Sequence, residues 1–396
     1  MEGFAMKSKA PLKKSIATVR NLSPYDQMLL EAVQLQGGFN NAHAHIDRAD
    51  TLDDKYLRHI NTTPLEASSL PLAVKQNLTG DLHRGIAYTE DDLRERMSRV
   101  ITRLISYGTT RLATCIDATS GIAENGLLAI RVASELKESF ADQIKIEIGP
   151  NPIFGFKEGT GRWEIFVEAA KISDFLSALP EKDDFADPHI RDGRIGFHMH
   201  TRRVLELGCE LKKEVYLHLD QANDPNETGT ETLIRGLKWI DQPQIPDHKG
   251  PTVWVIHMIS PSGYTEDRFN QLVDGLLELN IGVIVCPTAA VSMRQLRPIF
   301  SPTHNSIARV LELCKRKVPV LIGSDNICDV FVPQSDGDML TELKMVGHAV
   351  RFAIPHVWAK LAAGVSLNQV DIATIGRVLY QDKKVFFSID KSWQID

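Results

Sequence analysis

Eight short β-rich runs alternate with helical stretches along this chain, and this alternation restricts the possible folds more than any other feature. Apolar residues recur at helical spacing between the runs, for example over 89–108, which begins at Thr89 as an N-cap and ends at Gly108. Strands that alternate with helices are parallel, so the pattern predicts an α/β fold, a (β/α)8 TIM barrel, with a doubly wound open sheet as the structural alternative. The runs lie at 39–47, 111–118, 144–151, 172–179, 214–220, 252–258, 281–288 and 318–325.

The predicted barrel occupies residues 39–355, between an N-terminal helical segment at 1–38 and a C-terminal helical tail at 356–396. The stretch 48–88 is too long for an ordinary connection between a strand and the following helix. In a barrel it would lie over the C-terminal face, where active sites are found. We therefore predict a lid-like insertion at 48–88, with a small subdomain or an oligomer contact as open alternatives.

Composition and charge are those of a soluble globular protein and bear on its partners. The chain is 43% hydrophobic and 24% charged, and its net charge of −6 argues against nucleic acid or an anionic membrane as a partner. The five cysteines form no CxxC pair, which is typical of free thiols in a reducing compartment. Because no signal-like start and no bilayer-length apolar run is present, we expect a cytoplasmic protein, with a homo-oligomer left open.

Side chains that can bind a metal stand at the C-terminal ends of four predicted strands: His43 and His45, His218, His257 and Asp325. In a parallel barrel these ends meet at one mouth, so residues far apart in sequence become neighbours. His43 and His45 are two positions apart and therefore point to the same side of their strand. Imidazoles with one carboxylate and an open position form hydrolytic zinc or iron sites, in which the pKa of a bound water falls to about 7.

The sequence context of the other histidines does not favour a role in metal binding. His198 and His200 also stand two apart, but they precede a helix predicted to start near Thr201, so we interpret them as a loop or helix-cap pair. Four more fall in predicted loops or near helix starts, where we expect solvated side chains: His59, His83, His248 and His304. The metal site is therefore predicted from the strand ends alone.

Four local motifs, in the same order, resemble those of the cytosine deaminase-like branch of the amidohydrolase superfamily. The run NAHAHIDR at 41–48 resembles the HxHxD(K/R) motif of its first strand, and VYLHLDQAND at 215–224 resembles the HxDExD motif of its fifth. VIHMISPSGY at 255–264 and LIGSDNICDVFVP at 321–333 resemble the motifs of the sixth and eighth strands. IGPNP at 148–152 resembles the segment after the third strand. The resemblance implies a barrel and a metal-dependent hydrolase.

The resemblance also implies one divalent metal ion per chain, zinc in the first place and iron or manganese as alternatives. Its ligands would be His43, His45, His218 and Asp325. His257 would orient the metal-bound water, and Asp325 would accept the proton of that water as it attacks the substrate.

Four residues are implied to contact the substrate: Asn151, Gln221, Asn326 and Phe331. Asn151 stands where the branch has a glutamine that hydrogen-bonds the substrate ring, and Phe331 where it has a tryptophan near the pocket. Asn326 stands where a second aspartate is common, which predicts altered substrate choice without loss of the metal.

The departure with the largest consequence is Gln221, which takes the place of the catalytic glutamate that the branch carries after its fifth strand. An amide cannot ionise, and the loss of a positioned acid or base costs about 10²–10⁴-fold in rate. Gln221 can still orient a substrate carbonyl during catalysis. We therefore predict a metal-dependent amidohydrolase that hydrolyses a C–N bond of a small heterocyclic or cyclic-amide substrate.

Two other functions stay open at this point. A true deaminase of a pyrimidine-, triazine- or pterin-like base would need Asp325, His257 or a water in the role of the missing glutamate. The second open function is a catalytically inactive barrel that only binds a small molecule. An inactive relative, however, has no chemical need for a complete set of metal-binding residues.

Many members of the superfamily flank the barrel with a small β-sandwich built from both termini. Here the residues before His43 have a helical pattern, and the tail after the barrel has no Gly- and Asp-rich strands. We therefore predict that the sandwich is absent or vestigial.

Overall fold

The computed structural model describes residues 22–70, 72–184, 192–292 and 306–388. Eight strands run through these residues, one in each predicted β-rich run, and all paired strands are parallel. They form two sheets, in the orders β1-β2-β3 and β4-β5-β6-β7-β8. Most are shorter than the predicted runs: β1 is Phe39–Ala44, β2 Thr109–Asp117, β3 Lys145–Asn151, β4 Leu176–Ala178, β5 Val215–Leu219, β6 Val253–His257, β7 Gly282–Val285 and β8 Val320–Ile322.

The two sheets close into a barrel at two junctions. Between β3 and β4, the Asp174 amide donates to the Ile148 carbonyl at 2.7 Å. Between β8 and β1, the Asp325 amide donates to the His43 carbonyl at 2.9 Å. The strand order therefore runs from β1 to β8 and returns to β1, which confirms the predicted (β/α)8 barrel.

Helices connect the strands and cover the outside of the barrel. Four short 3-10 helices add single turns at Arg58–Ile60, Ile86–Tyr88, Pro180–Lys182 and Ser260–Gly263. The described α-helices are α1 (Pro24–Leu35), α2 (Asp54–Leu57), α3 (Pro64–Ser69), α4 (Leu72–His83), α5 (Glu90–Ser106), α6 (Ala123–Gly126), α7 (Leu128–Ser139), α8 (Arg162–Lys171), α9 (Phe197–Leu211), α10 (Gly229–Gly236), α11 (Glu266–Glu278), α12 (Pro287–Ser292), α13 (Val310–Lys315), α14 (Met339–Ala349), α15 (Pro355–Ala362) and α16 (Gln369–Ser388).

Helix α5 illustrates why the helical segments fold as predicted. Thr89 caps it by accepting a backbone amide of the first turn, and acidic residues fill that turn, where they complement the helix dipole. Leu93, Val100 and Leu104 recur at helical spacing and are fully buried, so one face packs on the barrel. The predicted start at Thr89 is confirmed, and the helix ends just before Gly108.

Helix α9 begins at Phe197, earlier than the predicted start near Thr201, and no side-chain cap marks its beginning. His198 and His200 therefore lie in its first turn, and their interpretation as a loop or cap pair is wrong. The buried His200 ring has its Nδ1 2.6 Å from the Asp183 carboxylate, and its Nε2 accepts a backbone amide just after β4. Both ring nitrogens of this histidine are therefore engaged in joining α9 to the barrel.

Residues 48–88, the predicted lid-like insertion, fold into α2, α3, α4 and two of the 3-10 helices. Arg96 on α5 holds both ends of this segment. Its buried guanidinium donates to the carbonyls of Asp47, Ala49 and Ala87 at 2.7, 2.9 and 2.5 Å. Arg96, which lies outside the insertion, therefore ties the two ends of the insertion to α5.

Arg96→Met is expected to lower the free energy of unfolding by about 3 kcal/mol, because it removes a buried partner of the Asp92 carboxylate and the donor of three carbonyls. Denaturant unfolding followed by circular dichroism measures the change. Arg99→Met, on the same helix with a half-exposed side chain, should change that free energy by less than about 0.5 kcal/mol. Equal effects of the two variants would contradict the anchoring role of Arg96.

Beyond the barrel and its connections, the described residues add α1 before β1 and α14, α15 and α16 after β8, and they contain no further strand. Among them, no helix combines the length and the apolar character needed to cross a membrane. The boundaries drawn at 1–38, 39–355 and 356–396 stay a prediction.

Candidate active site

Five polar side chains meet at the C-terminal mouth of the barrel because parallel strands bring their ends together. His43 lies in β1 and His45 directly after it, while His218 lies in β5 and His257 ends β6. Asp325 follows β8, and its amide bond to the His43 carbonyl holds it beside β1. All five residues are at most 4% exposed. The structure therefore brings together all the side chains predicted for the metal site.

The distances between these groups suit one small ion. The Nε2 atoms of His43 and His218 are 3.2 Å apart, and the Nε2 atoms of His43 and His45 each lie 3.4 Å from Asp325 Oδ1. Two ligands about 2.0–2.2 Å from one tetrahedral zinc ion stand roughly 3.4 Å apart, which matches these separations. Two overlapping groups can hold an ion, His43 with His45 and Asp325, and His43 with His218 and His257.

Hydrogen bonds behind the imidazoles decide which nitrogen each ring presents. His45 Nδ1 is 3.2 Å from the Cys115 carbonyl, and His218 Nδ1 is 3.1 Å from the Ala178 carbonyl. A carbonyl only accepts, so Nδ1 carries the proton and Nε2 keeps its lone pair for a ligand. Histidines that bind metals usually make this contact, because it orients the ring and fixes the tautomer.

Burial keeps three of these rings in the neutral form that binds a metal. It lowers the pKa of His45 to about 3 and the pKa of His257 to about 4. It also holds the pKa of His218 well below its ordinary value. Three rings therefore offer uncharged nitrogen ligands at neutral pH.

His43 and Asp325 form the charged part of the site. Burial lowers the pKa of His43, but the Cys115 thiol and Asp325 outweigh burial and raise this pKa to about 9. Burial raises the pKa of Asp325, but the hydrogen bonds of His43 and His45 outweigh it and hold this pKa well below its usual range. The carboxylate is therefore ionised and available to a cation, and a cation that binds His43 would displace the proton from this ring.

Two buried atoms at the site have no hydrogen-bond partner within the described part of the chain, His257 Nδ1 and Asp325 Oδ2. Asp325 Oδ2 lies 4.0 Å from His257 Nε2, beyond direct hydrogen-bonding distance. Both residues also adopt left-handed backbone angles, with φ of 79° and 61°, a strain that is frequent at functional sites. An unpaired buried polar atom is costly, so these atoms fit a site that takes a ligand.

A cavity of about 30 Å³ opens beside these groups. Sites for drug-sized ligands measure roughly 300–1,000 Å³, so this space is much smaller than those sites, and its interest lies in the residues of its wall. The metal-site residues His45, His218, His257 and Asp325 form part of its wall. The wall also contains all four residues predicted to contact a substrate, Asn151, Gln221, Asn326 and Phe331.

Behind the cavity wall, Asp117 organises a buried polar network. It pairs with Arg48 at 3.1 Å and with His83 Nε2 at 3.0 Å, and it accepts the side-chain amide of Asn151 at 2.7 Å. Burial alone would raise the pKa of Asp117, but Arg48 outweighs burial and holds this pKa well below its usual range. The predicted solvated side chain of His83 is therefore wrong, because α4 carries it into this network.

The sequence did not predict five other residues of the cavity wall: Arg48, Leu72, Gln76, Ile153 and Leu179. Arg48 closes the NAHAHIDR motif, so its place near the metal site could have been inferred. Leu72 and Gln76 lie on α4 within the 48–88 insertion, where no motif or periodicity points to the cavity.

A larger cavity of about 690 Å³ lies elsewhere, with Glu181, His198 and Glu227 in its wall. Its wall contains no residue of the described groups that can hold a metal ion. We therefore place the chemistry at the smaller cavity, where the ligands converge.

No family model matches the sequence. An uncharacterized protein of Haemophilus influenzae is 25% identical over 296 residues, which cover 74% of this chain and 96% of that protein. This relative adds no information on activity.

Solved structures share the fold at lower identity. The 5-methylcytosine deaminase of Klebsiella pneumoniae, liganded with 5-fluorocytosine, matches 86% of this chain and 75% of its own, with a TM-score of 0.66 and 20% identity. The N-isopropylammelide isopropylaminohydrolase of Burkholderia multivorans matches 86% of this chain and 74% of its own, with a TM-score of 0.59 and 17% identity. The chain therefore shares the barrel fold of these two enzymes.

Proposed function

We propose that this protein is a metal-dependent amidohydrolase that hydrolyses a C–N bond of a small heterocyclic or cyclic-amide molecule. The observation that carries the proposal is the convergence of His43, His45, His218 and Asp325, with His257 beside them, at the mouth of the barrel. The two solved enzymes of similar fold are a deaminase and an aminohydrolase, and both names describe C–N hydrolysis, which supports this reaction class.

One divalent metal ion fits the donor set. Three imidazoles and one carboxylate suit zinc, with iron or manganese as alternatives, and His43, His45, His218 and Asp325 would hold it. Such an ion, when bound, lowers the pKa of a water to about 7 and polarises a substrate carbonyl.

Asp325 and His257 are placed to handle the proton and the developing charge. Asp325 Oδ2 has no hydrogen-bond partner in the described part of the chain, so it can accept the proton of the attacking water. The His257 ring is neutral because burial lowers its pKa to about 4, and it can orient that water and hydrogen-bond the oxyanion.

Gln221 favours a substrate whose leaving group needs little protonation. Its amide lies in the cavity wall after β5, where it can donate to a substrate carbonyl but cannot transfer a proton as an acid. Opening of a cyclic imide or ureide meets this condition better than release of ammonia from an aromatic base, because the departing nitrogen keeps an acyl group that delocalises its charge. The proton that Asp325 accepts from water can then return to that nitrogen.

His257→Asn is expected to lower kcat by about 10²–10⁴-fold with the metal content still near one ion per chain, because His257 orients the water and is not one of the four assigned ligands. Kinetics and plasma mass spectrometry on the same preparation measure both. His198→Asn changes an exposed histidine of α9 and should leave both unchanged. Loss of the metal together with activity would make His257 a ligand and contradict the assignment.

Gln221→Glu is expected to create or raise ammonia release from aminated pyrimidines and triazines, because a carboxylate restores the proton transfer that an amide cannot perform. Ammonia release from cytosine and ring opening of dihydrouracil are measured side by side. Gln221→Met, with neither amide nor acid, should not raise ammonia release. Efficient deamination by the wild type that Gln221→Glu leaves unchanged would favour a true deaminase instead.

A further inference from the structure

Gln76 has a place in the cavity that no motif of the sequence assigns. It lies on α4 in the 48–88 insertion, is only 9% exposed, and shares the cavity wall with His45, His218 and Asp325. A buried amide beside the ligand space has two different ends, a carbonyl that accepts and an NH₂ that donates. Which end faces the cavity decides what it recognises.

Lys182 decides the orientation of this amide. Its Nζ donates to Gln76 Oε1 at 2.8 Å from the 3-10 turn after β4. An ammonium group only donates, so the carbonyl end of Gln76 faces Lys182 and the NH₂ end turns away from it.

Asn326, in the wall of the same cavity, has its amide held by the other end. Its Nδ2 donates to Asp329 at 2.5 Å, and the Asp329 carboxylate also accepts the amides of Phe331 and Val332. The NH₂ end of Asn326 is therefore engaged, and its carbonyl oxygen is the end left for a ligand. The wall thus offers a donor from α4 and an acceptor from the segment after β8.

Arg48 adds a second donor to the wall. Its guanidinium pairs with Asp117 at 3.1 Å and lies over the Phe331 ring, 5.1 Å from the ring centroid. Its Nε is buried and has no hydrogen-bond partner among the described residues. The Gln76 NH₂ group and the Arg48 Nε therefore favour a ligand that carries oxygen acceptors.

We propose that Gln76 is a specificity-determining residue whose NH₂ group takes a ring carbonyl oxygen of the substrate, and that Lys182 is the residue that positions it. The proposal rests on the proposed function, because it places the substrate in the cavity beside the metal site. It narrows the substrate class to oxo-substituted nitrogen rings, cyclic ureides or lactams that carry a carbonyl besides the one at the reacting carbon. The N–H of such a ring is a matching donor for Asn326.

The experiment compares ring ligands that differ by one carbonyl. The pairs are glutarimide with 2-piperidone and succinimide with 2-pyrrolidone, and the second member of each pair lacks one ring carbonyl but keeps the ring N–H. Binding to the metal-loaded full chain is measured by titration calorimetry for wild type, Gln76→Leu, Gln76→Glu and Lys182→Met. Gln34→Leu makes the same side-chain change at an exposed position of α1 and serves as the control.

Gln76→Leu should weaken binding of the ligand with the additional carbonyl roughly fivefold to tenfold and leave its partner unchanged, since one hydrogen bond is lost. Gln76→Glu should weaken the same ligand by more than about tenfold, because a carboxylate only accepts. Lys182→Met should give a smaller loss with the same selectivity, because the amide can then rotate. Gln34→Leu should change neither ligand.

If the variants bind both members of a pair more weakly to the same extent, Gln76 and Lys182 only stabilise the position of α4 and the proposal is overturned. Unchanged binding in the Gln76 and Lys182 variants would overturn it as well. Wild-type chain that binds no member of either pair would also overturn it. Circular dichroism and metal content identify any variant that fails to fold. Selective binding without turnover of any ring substrate would overturn the proposed function alone and leave the role of Gln76 standing.

Discussion

The hydrogen bond from the Asp325 amide to the His43 carbonyl is the interaction on which the candidate site depends. It joins β8 to β1 and so closes the barrel at the same point where the carboxylate must stand beside the imidazoles. A shift of register here would move Asp325 Oδ1 away from the two Nε2 atoms that lie 3.4 Å from it. Closure of the barrel between β8 and β1 and the placement of the Asp325 carboxylate therefore depend on the same contact.

A second set of charged residues behind the cavity wall fixes the orientation of its amides. Lys182 holds the carbonyl of Gln76, Asp117 holds the NH₂ of Asn151, and Asp329 holds the NH₂ of Asn326. Groups that are held before a ligand arrives need no reorganisation at the moment of binding or reaction. The polar wall of this small cavity is thus specified by residues that do not line it.

The sequence was sufficient to predict the strands and the site residues at their ends. Strands that alternate with helices are parallel, and the C-terminal ends of parallel strands meet at one mouth of the barrel. Gln76, Lys182 and the burial of His83 depend on how the 48–88 insertion packs, and no periodic pattern encodes that packing. The early start of α9 escaped prediction because no capping side chain precedes Phe197.

The content of divalent metal per chain tests the central claim most directly. Wild type and His43→Ala are purified in parallel, reconstituted with zinc, iron or manganese, and analysed by plasma mass spectrometry. The account predicts about one ion per wild-type chain and loss of that ion in His43→Ala, because His43 belongs to both groups that can hold it. Two ions per chain, an ion retained by the variant, or no ion in reconstituted wild type would contradict it.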